Sequence, residues 1–238
     1  MIRKFFATEW AKLKPMNFTD KRQYIWEYYK VQIIIFVLAI LAIGYIINTT
    51  IINPPKREYL YISWQGVFVL PSHLDELGEK LNVITKDPDR EIVAVRSYLL
   101  TGDHQIDQAL VTRFFATIHI GGLHSAMATS ETVVGLAEEG IIKPVHEVLA
   151  QVKILDPDLY DYLSTRVSEI TFETDSGTYI TDKMAISLYE APLLIELGIP
   201  TDDLYLTVII NSTHYYQIAK ALIVVFDEGH EYFRTCIQ

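Results

Sequence analysis

A single cysteine, Cys236, serves the whole 238-residue chain, so neither an intrachain disulfide nor a CxxC metal or redox pair exists. Any folded part must therefore hold together by packing alone. A GxSxG elbow and an HExxH helix are also missing, and with them go the common signatures of a serine nucleophile and a catalytic zinc. The seven histidines are scattered: His119 and His124 flank Gly121-Gly122, His214 and His230 stand at opposite ends of a late apolar segment, and none has metal-ligand spacing. Asp87 and Asp89 in KDPDREI lack the glycine and the distal Glu of a calcium loop. The pairs Asp202-Asp203 and Glu138-Glu139 read as solvated helix ends. No metal, cofactor or catalytic residue is expected.

Positive charge is scarce over most of the length. Seven of the 20 Lys and Arg residues precede residue 31 against three of the 30 Asp and Glu, which leaves 13 basic and 27 acidic groups beyond it. That acidic majority repels phosphate and excludes nucleic acid as a partner there.

What the chain does have is one long uncharged run. From Ile33 to Ile47 it reads IIIFVLAILAIGYII, and Val31 to Ile52 extends it to 22 residues. About twenty residues of helix cover the roughly 30 Å of a bilayer core. Eleven of the fifteen residues from Ile33 to Ile47 are Ile, Leu, Phe or Val, which favours insertion by roughly 3 to 6 kcal/mol. The reading is a transmembrane helix over 31–52 held in membrane lipid. The basic excess before it puts the amino terminus in the cytoplasm and the rest outside, as a single-pass protein of the cell membrane. A basic region of about 30 residues and the lack of a small-x-small site argue against a cleaved signal peptide.

Residues 1–30 carry Phe5, Phe6, Trp10 and Leu13 near helical spacing, then DKRQYIWEYYK with Tyr24, Trp26, Tyr28 and Tyr29 at headgroup level. They read as a cytoplasmic amphipathic segment lying at the interface, with Asn17 or Thr19 as a cap. Pro54-Pro55 ends the span, 53–57 form a short stiff linker, and a folded domain fills 58–238.

Within that domain strand-like and helix-like patterns alternate. EYLYISW, EIVAVRSYLL, LHSAMA and DLYLTVIINS read as strands, whereas PSHLDELGEKL, HQIDQALVTRFFATIHI, SETVVGLAEEG, KPVHEVLAQV, DPDLYDYLSTRV, APLLIELG and HYYQIAKALIVVFDEG read as helices. Asp175-Ser176-Gly177 marks a hairpin turn inside ITFETDSGTYITDKMAISLYE. The alternation predicts an α/β fold: a single three-layer αβα domain with a mostly parallel sheet.

In such sheets ligands sit beyond the carboxyl ends of the strands. Trp64 and Gln65 close the first strand, Thr129, Ser130 and Glu131 follow LHSAMA, and Tyr189 and Glu190 close a later strand. These seven are the candidate ligand-binding residues. HIGGLHSAMATSETVVGLAEEG reads as a strand-to-helix passage with Thr129-Ser130 as the helix cap, the form of an anion cradle.

ALVTRFFATIHIGGLHSAMATSETVVGLAEEGIIKPVHEVL resembles the first lobe of extracellular solute-binding proteins of ABC importers, with Ala137, Gly140, Ile141 and Pro144 matching that family's passage after the cleft helix. GTYITDKMAISLYEAPLL looks like its crossing strand, and LTVIINSTHYYQIAKALIVVF looks like its closing strand and helix. The resemblance implies a periplasmic-binding-protein lobe over about Tyr59 to Phe226. It also implies a second lobe after Glu190, where this chain has one short helix. DKRQYIWEYYKVQIIIF is similar to the anchor of a group of uncharacterised Gram-positive membrane proteins. The expected function is accordingly a membrane-anchored, non-enzymatic extracytoplasmic interaction or sensing module built on one lobe. Its expected partner is a transporter or a second copy of itself. The alternative is a tethered subunit that captures a small solute for a transporter.

Overall fold

The computed structural model describes residues 14–98, 104–173 and 177–227. Phe5, Phe6, Trp10, Leu13, Asp175, Ser176, His230 and Cys236 lie outside these ranges. The chain divides into two compact units at Pro55 and Lys56.

The first unit is built on helix α1, Phe18–Ile47, continued by a wider π-type turn at Asn48–Ile52. Asn17 occupies the N-cap position, though its side chain makes no capping bond. The interfacial and membrane-length segments form one helix, because no proline or glycine interrupts Phe18–Ile43. Thr49, within that π-type turn, donates its hydroxyl back to the Tyr45 carbonyl at 2.9 Å. Phe18–Ile52, which holds an 18-residue window of mean hydropathy 2.5, is long and apolar enough to cross a membrane. Tyr24 and Tyr28, one turn apart, pack their rings at 4.7 Å.

The second unit is α/β, with seven strands in one mixed sheet. The strands are β1 Arg57–Gln65, β2 Glu91–Ser97, β3 Ser125–Ala128, β4 Ile142–Lys143, β5 Val167–Glu173, β6 Tyr179–Ser187 and β7 Tyr205–Ile209. The helices are α2 Pro71–Leu81, α3 His104–His119, α4 Ser130–Glu138, α5 His146–Leu155, α6 Pro157–Ser164, α7 Pro192–Glu196 and α8 Tyr215–Phe226. Sheet order is β2-β1-β3-β7-β6-β5, with β4 paired to β7.

The expectation of a mostly parallel sheet is corrected by the pairings. Only β1 with β2 and β1 with β3 run parallel, while β3 with β7, β4 with β7, β6 with β7 and β5 with β6 run antiparallel. Return distance is the reason. Sixteen-residue α3 spans about 24 Å, enough to bring the chain back to the start of β3 beside β1. Five-residue α7 rises only about 7.5 Å against about 30 Å for nine-residue β6, so β7 re-enters from the edge where β6 ended. β5 and β6 form a hairpin with Glu173 opposite Tyr179.

Alternation along β1 divides the core. Leu60, Ile62 and Trp64 join Leu74, Leu77 and Leu81 of α2 and Val148 and Val152 of α5 in one apolar cluster. Tyr61 points the other way, into a cluster with Phe114 and Ile118 of α3 and Val133, Leu136 and Ala137 of α4. Four strand residues on that second face, Ala94, Ala126, Ala128 and Ala185, are small and sit among the larger Tyr61, Met184 and Ile209. Eight of the twelve residues of α8 are buried, as its all-round apolar sequence requires.

Candidate functional site

Register places the candidate residues along one edge of the sheet. Gln65 pairs with Ala128, Ala128 with Tyr205, and Tyr205 with Ser187, so the ends of β1, β3 and β6 and the start of β7 share that edge. Three strand steps of about 4.8 Å separate β1 from β6, which sets Gln65 about 14 Å from the Ser187 end. The edge therefore carries two groups, too far apart to close on one small solute.

The first group surrounds the end of β1. Gly66 turns the chain at φ 88°, and a Cβ there would meet Thr129 Oγ1 at 2.5 Å. Thr129 occupies the N-cap position of α4, yet its hydroxyl shares a 2.9 Å bond with Thr132 Oγ1 and leaves the helix amides uncapped. Asp203, in the loop before β7, supplies the cap. Its carboxylate accepts from the Ser130 amide at 3.3 Å and from Ser130 Oγ at 3.0 Å. A carboxylate at a helix N-terminus meets both the free N–H groups and the positive end of the dipole. The anion cradle legible in the sequence is thus occupied by the protein's own side chain. Glu131 follows, exposed in the first turn.

Trp64 does not face this edge. It is fully buried, and its Nε1 donates to the Val67 carbonyl at 2.9 Å. The same alternation that buries Leu60 and Ile62 sends it into the core. Gln65, pointing oppositely, is half-buried and donates from Nε2 to Ser63 Oγ at 3.3 Å.

The second group lies at the end of β6. Tyr189 is exposed, and its carbonyl accepts from the Arg166 guanidinium, which stacks 4.3 Å over the Tyr162 ring. The Glu190 carboxylate, hydrogen-bonded to the Tyr189 phenol, raises that phenol's pKa above its usual value. Glu190 adopts a left-handed φ of 55°, unusual for a residue with a side chain, and its amide donates to Thr201 Oγ1 at 3.2 Å.

Asp203 and Arg166 are the edge residues that sequence reasoning missed. No local pattern reveals either as an edge residue, since the bonds of Asp203 to Ser130 and of Arg166 to the Tyr189 carbonyl join segments distant in the chain. Among the described residues no group of three or more His, Cys, Asp and Glu side chains could hold a metal ion. The chain matches no protein-family model, no curated protein and no solved structure.

Proposed function

We propose that this chain is a membrane-anchored extracytoplasmic interaction or sensing module that does no chemistry of its own. Its α1 spans the cell membrane once with the amino terminus in the cytoplasm. Residues 58–238 form a single three-layer lobe of the solute-binding type, and the carboxyl edge of the sheet meets a protein partner. A transporter subunit or a second copy of the chain fits that role.

One observation carries the reading. The place where a solute's anionic group would sit, at the N-terminus of α4, is already filled by Asp203. What the edge offers outward is a set of exposed side chains, Glu131 and Tyr189 among them, suited to contact with another surface. The basic excess before the span supports the orientation.

The test is photo-crosslinking from positions 131 and 189 in intact membranes, alongside a thermal-shift panel of solutes on the purified chain. One protein adduct common to both positions, with no solute shift, is the expected result. No adduct together with a reproducible solute shift replaces this reading with solute capture, because a ligand at 100 times its dissociation constant adds about 2.7 kcal/mol. In a Cys236→Ser chain, Lys56→Cys reacts with a membrane-impermeant maleimide from outside intact cells. Reaction only after lysis overturns the orientation.

A further inference from the structure

Beneath α3 lies a cavity that shares Gln65 with the carboxyl edge of the sheet, and its capacity to bind does not depend on a docking partner. Although α3 is sixteen residues long, only Phe114 and Ile118 are buried. Its Leu110, Val111, Phe114 and Phe115 line one side of a cavity of about 200 Å³, completed by Leu136 of α4 and by residues at the strand ends. Val111 and Phe115 stay 42% and 37% exposed. Exposed apolar side chains scattered singly need no explanation, but several converging on one cavity form a surface that an apolar guest would cover.

The polar lining has one character. The Tyr98 hydroxyl is engaged with the Tyr61 hydroxyl at 2.6 Å. Gln65 spends its amide nitrogen on Ser63, which leaves its amide oxygen as an acceptor. Glu139, exposed at the end of α4, adds a carboxylate, and among the described residues neither Lys nor Arg lines the cavity. The volume somewhat exceeds the roughly 150 Å³ that admits benzene. The Arg96 and Arg113 guanidiniums act on Tyr61, behind the Tyr98 hydroxyl; with no cation among the described lining residues, the acceptors favour a guest that donates, and a protonated nitrogen donates most strongly to a carboxylate.

We propose that this cavity is a binding site for a compact apolar amine, a single ring or branched chain on a short arm bearing one protonated amino group. The ring rests against the α3 wall and the ammonium group pairs with Glu139 and the Gln65 amide oxygen.

The probe is 2-phenylethylamine, added to the full chain in detergent micelles and read by thermal shift and calorimetric titration. The neutral 2-phenylethanol and the anionic 3-phenylpropionate serve as matched rings. The amine raises the melting temperature, the alcohol binds about tenfold more weakly, and the acid leaves the melting temperature unmoved. Glu139→Gln, at an exposed position that leaves folding intact, weakens the amine about tenfold and leaves the alcohol unchanged. Val111→Trp fills the cavity from an already exposed position and abolishes both. No shift with millimolar amine overturns the site, as does a shift that survives Val111→Trp. Equal binding of amine and alcohol, or an amine affinity indifferent to Glu139→Gln, overturns the amine assignment.

Discussion

His124 and His214 stack their imidazole rings 3.8 Å apart, centroid to centroid. His124 precedes β3 and His214 precedes α8. The Tyr61 amide donates to His124 Nδ1 at 2.9 Å, so neutral His124 carries its proton on Nε2. His214 Nδ1 is buried with no hydrogen-bond partner. Burial lowers both pKa values, that of His124 to about 4, with the neighbouring His214 adding repulsion in the charged state.

The pair makes stability depend on pH with a definite sign. The unfolded chain takes up protons at these imidazoles near pH 6.5, while folded His124 resists protonation until about pH 4. Their contribution is therefore complete above about pH 6.5 and is lost as pH falls toward 4, by on the order of 2 to 3 kcal/mol for His124. Urea melts of the full chain between pH 7.5 and 4 should show this decline, and His214→Phe should make it shallower. A melting midpoint independent of pH over that range contradicts the assignment.

Gly66 is constrained for two separable reasons. Its φ of 88° disfavours any side chain by roughly 1 to 2 kcal/mol, and a Cβ would overlap Thr129 Oγ1 at 2.5 Å. Gly66→Ala should thus cost about 2 kcal/mol or more. Adding Thr129→Ala should restore only the steric share, as measured by thermal or denaturant unfolding.

Removing Asp203 should expose the Ser130 amide at the N-terminus of α4. Asp203→Ala is expected to lose about 1 kcal/mol, the usual worth of a cap. Inorganic phosphate at tens of millimolar should then stabilise the variant more than the parent chain. Equal responses to phosphate would show that the carboxylate does not hold the anion position.

Trp64 and Tyr189, both candidate ligand residues by sequence, should separate cleanly in stability. Trp64→Ala empties a fully buried position and should cost about 3 to 5 kcal/mol, whereas the exposed Tyr189→Ala should stay within about 0.5 kcal/mol. The melting temperatures of the two variants decide it.

The elements themselves were readable. Pro71 opens α2 as expected, the small-residue stretch after Gly122 forms β3, and the Pro54-Pro55 break falls beside the division between the two units. Trp64 could also have been read as core, because it continues the alternation of Leu60 and Ile62. Two-residue β4 was missed, being too short to show any period. Asp203 was legible as an acid but not as a cap, since its partner Ser130 lies 73 residues earlier.

The chain's composition and periodicity alone determined a chain without an intrachain disulfide, with one membrane-length apolar helix and alternating strands and helices. These properties follow from local side-chain chemistry and from periods of 2 and 3.6 residues. Strand direction, the filling of the α4 N-terminus by Asp203, the stacking of His124 on His214 and the cavity beneath α3 were decided only by tertiary structure. Each depends on which edge of the sheet the chain re-enters and on what then packs there. That outcome belongs to the whole chain, because the entropic cost of bringing distant segments together is met by the combined burial of both faces of the sheet.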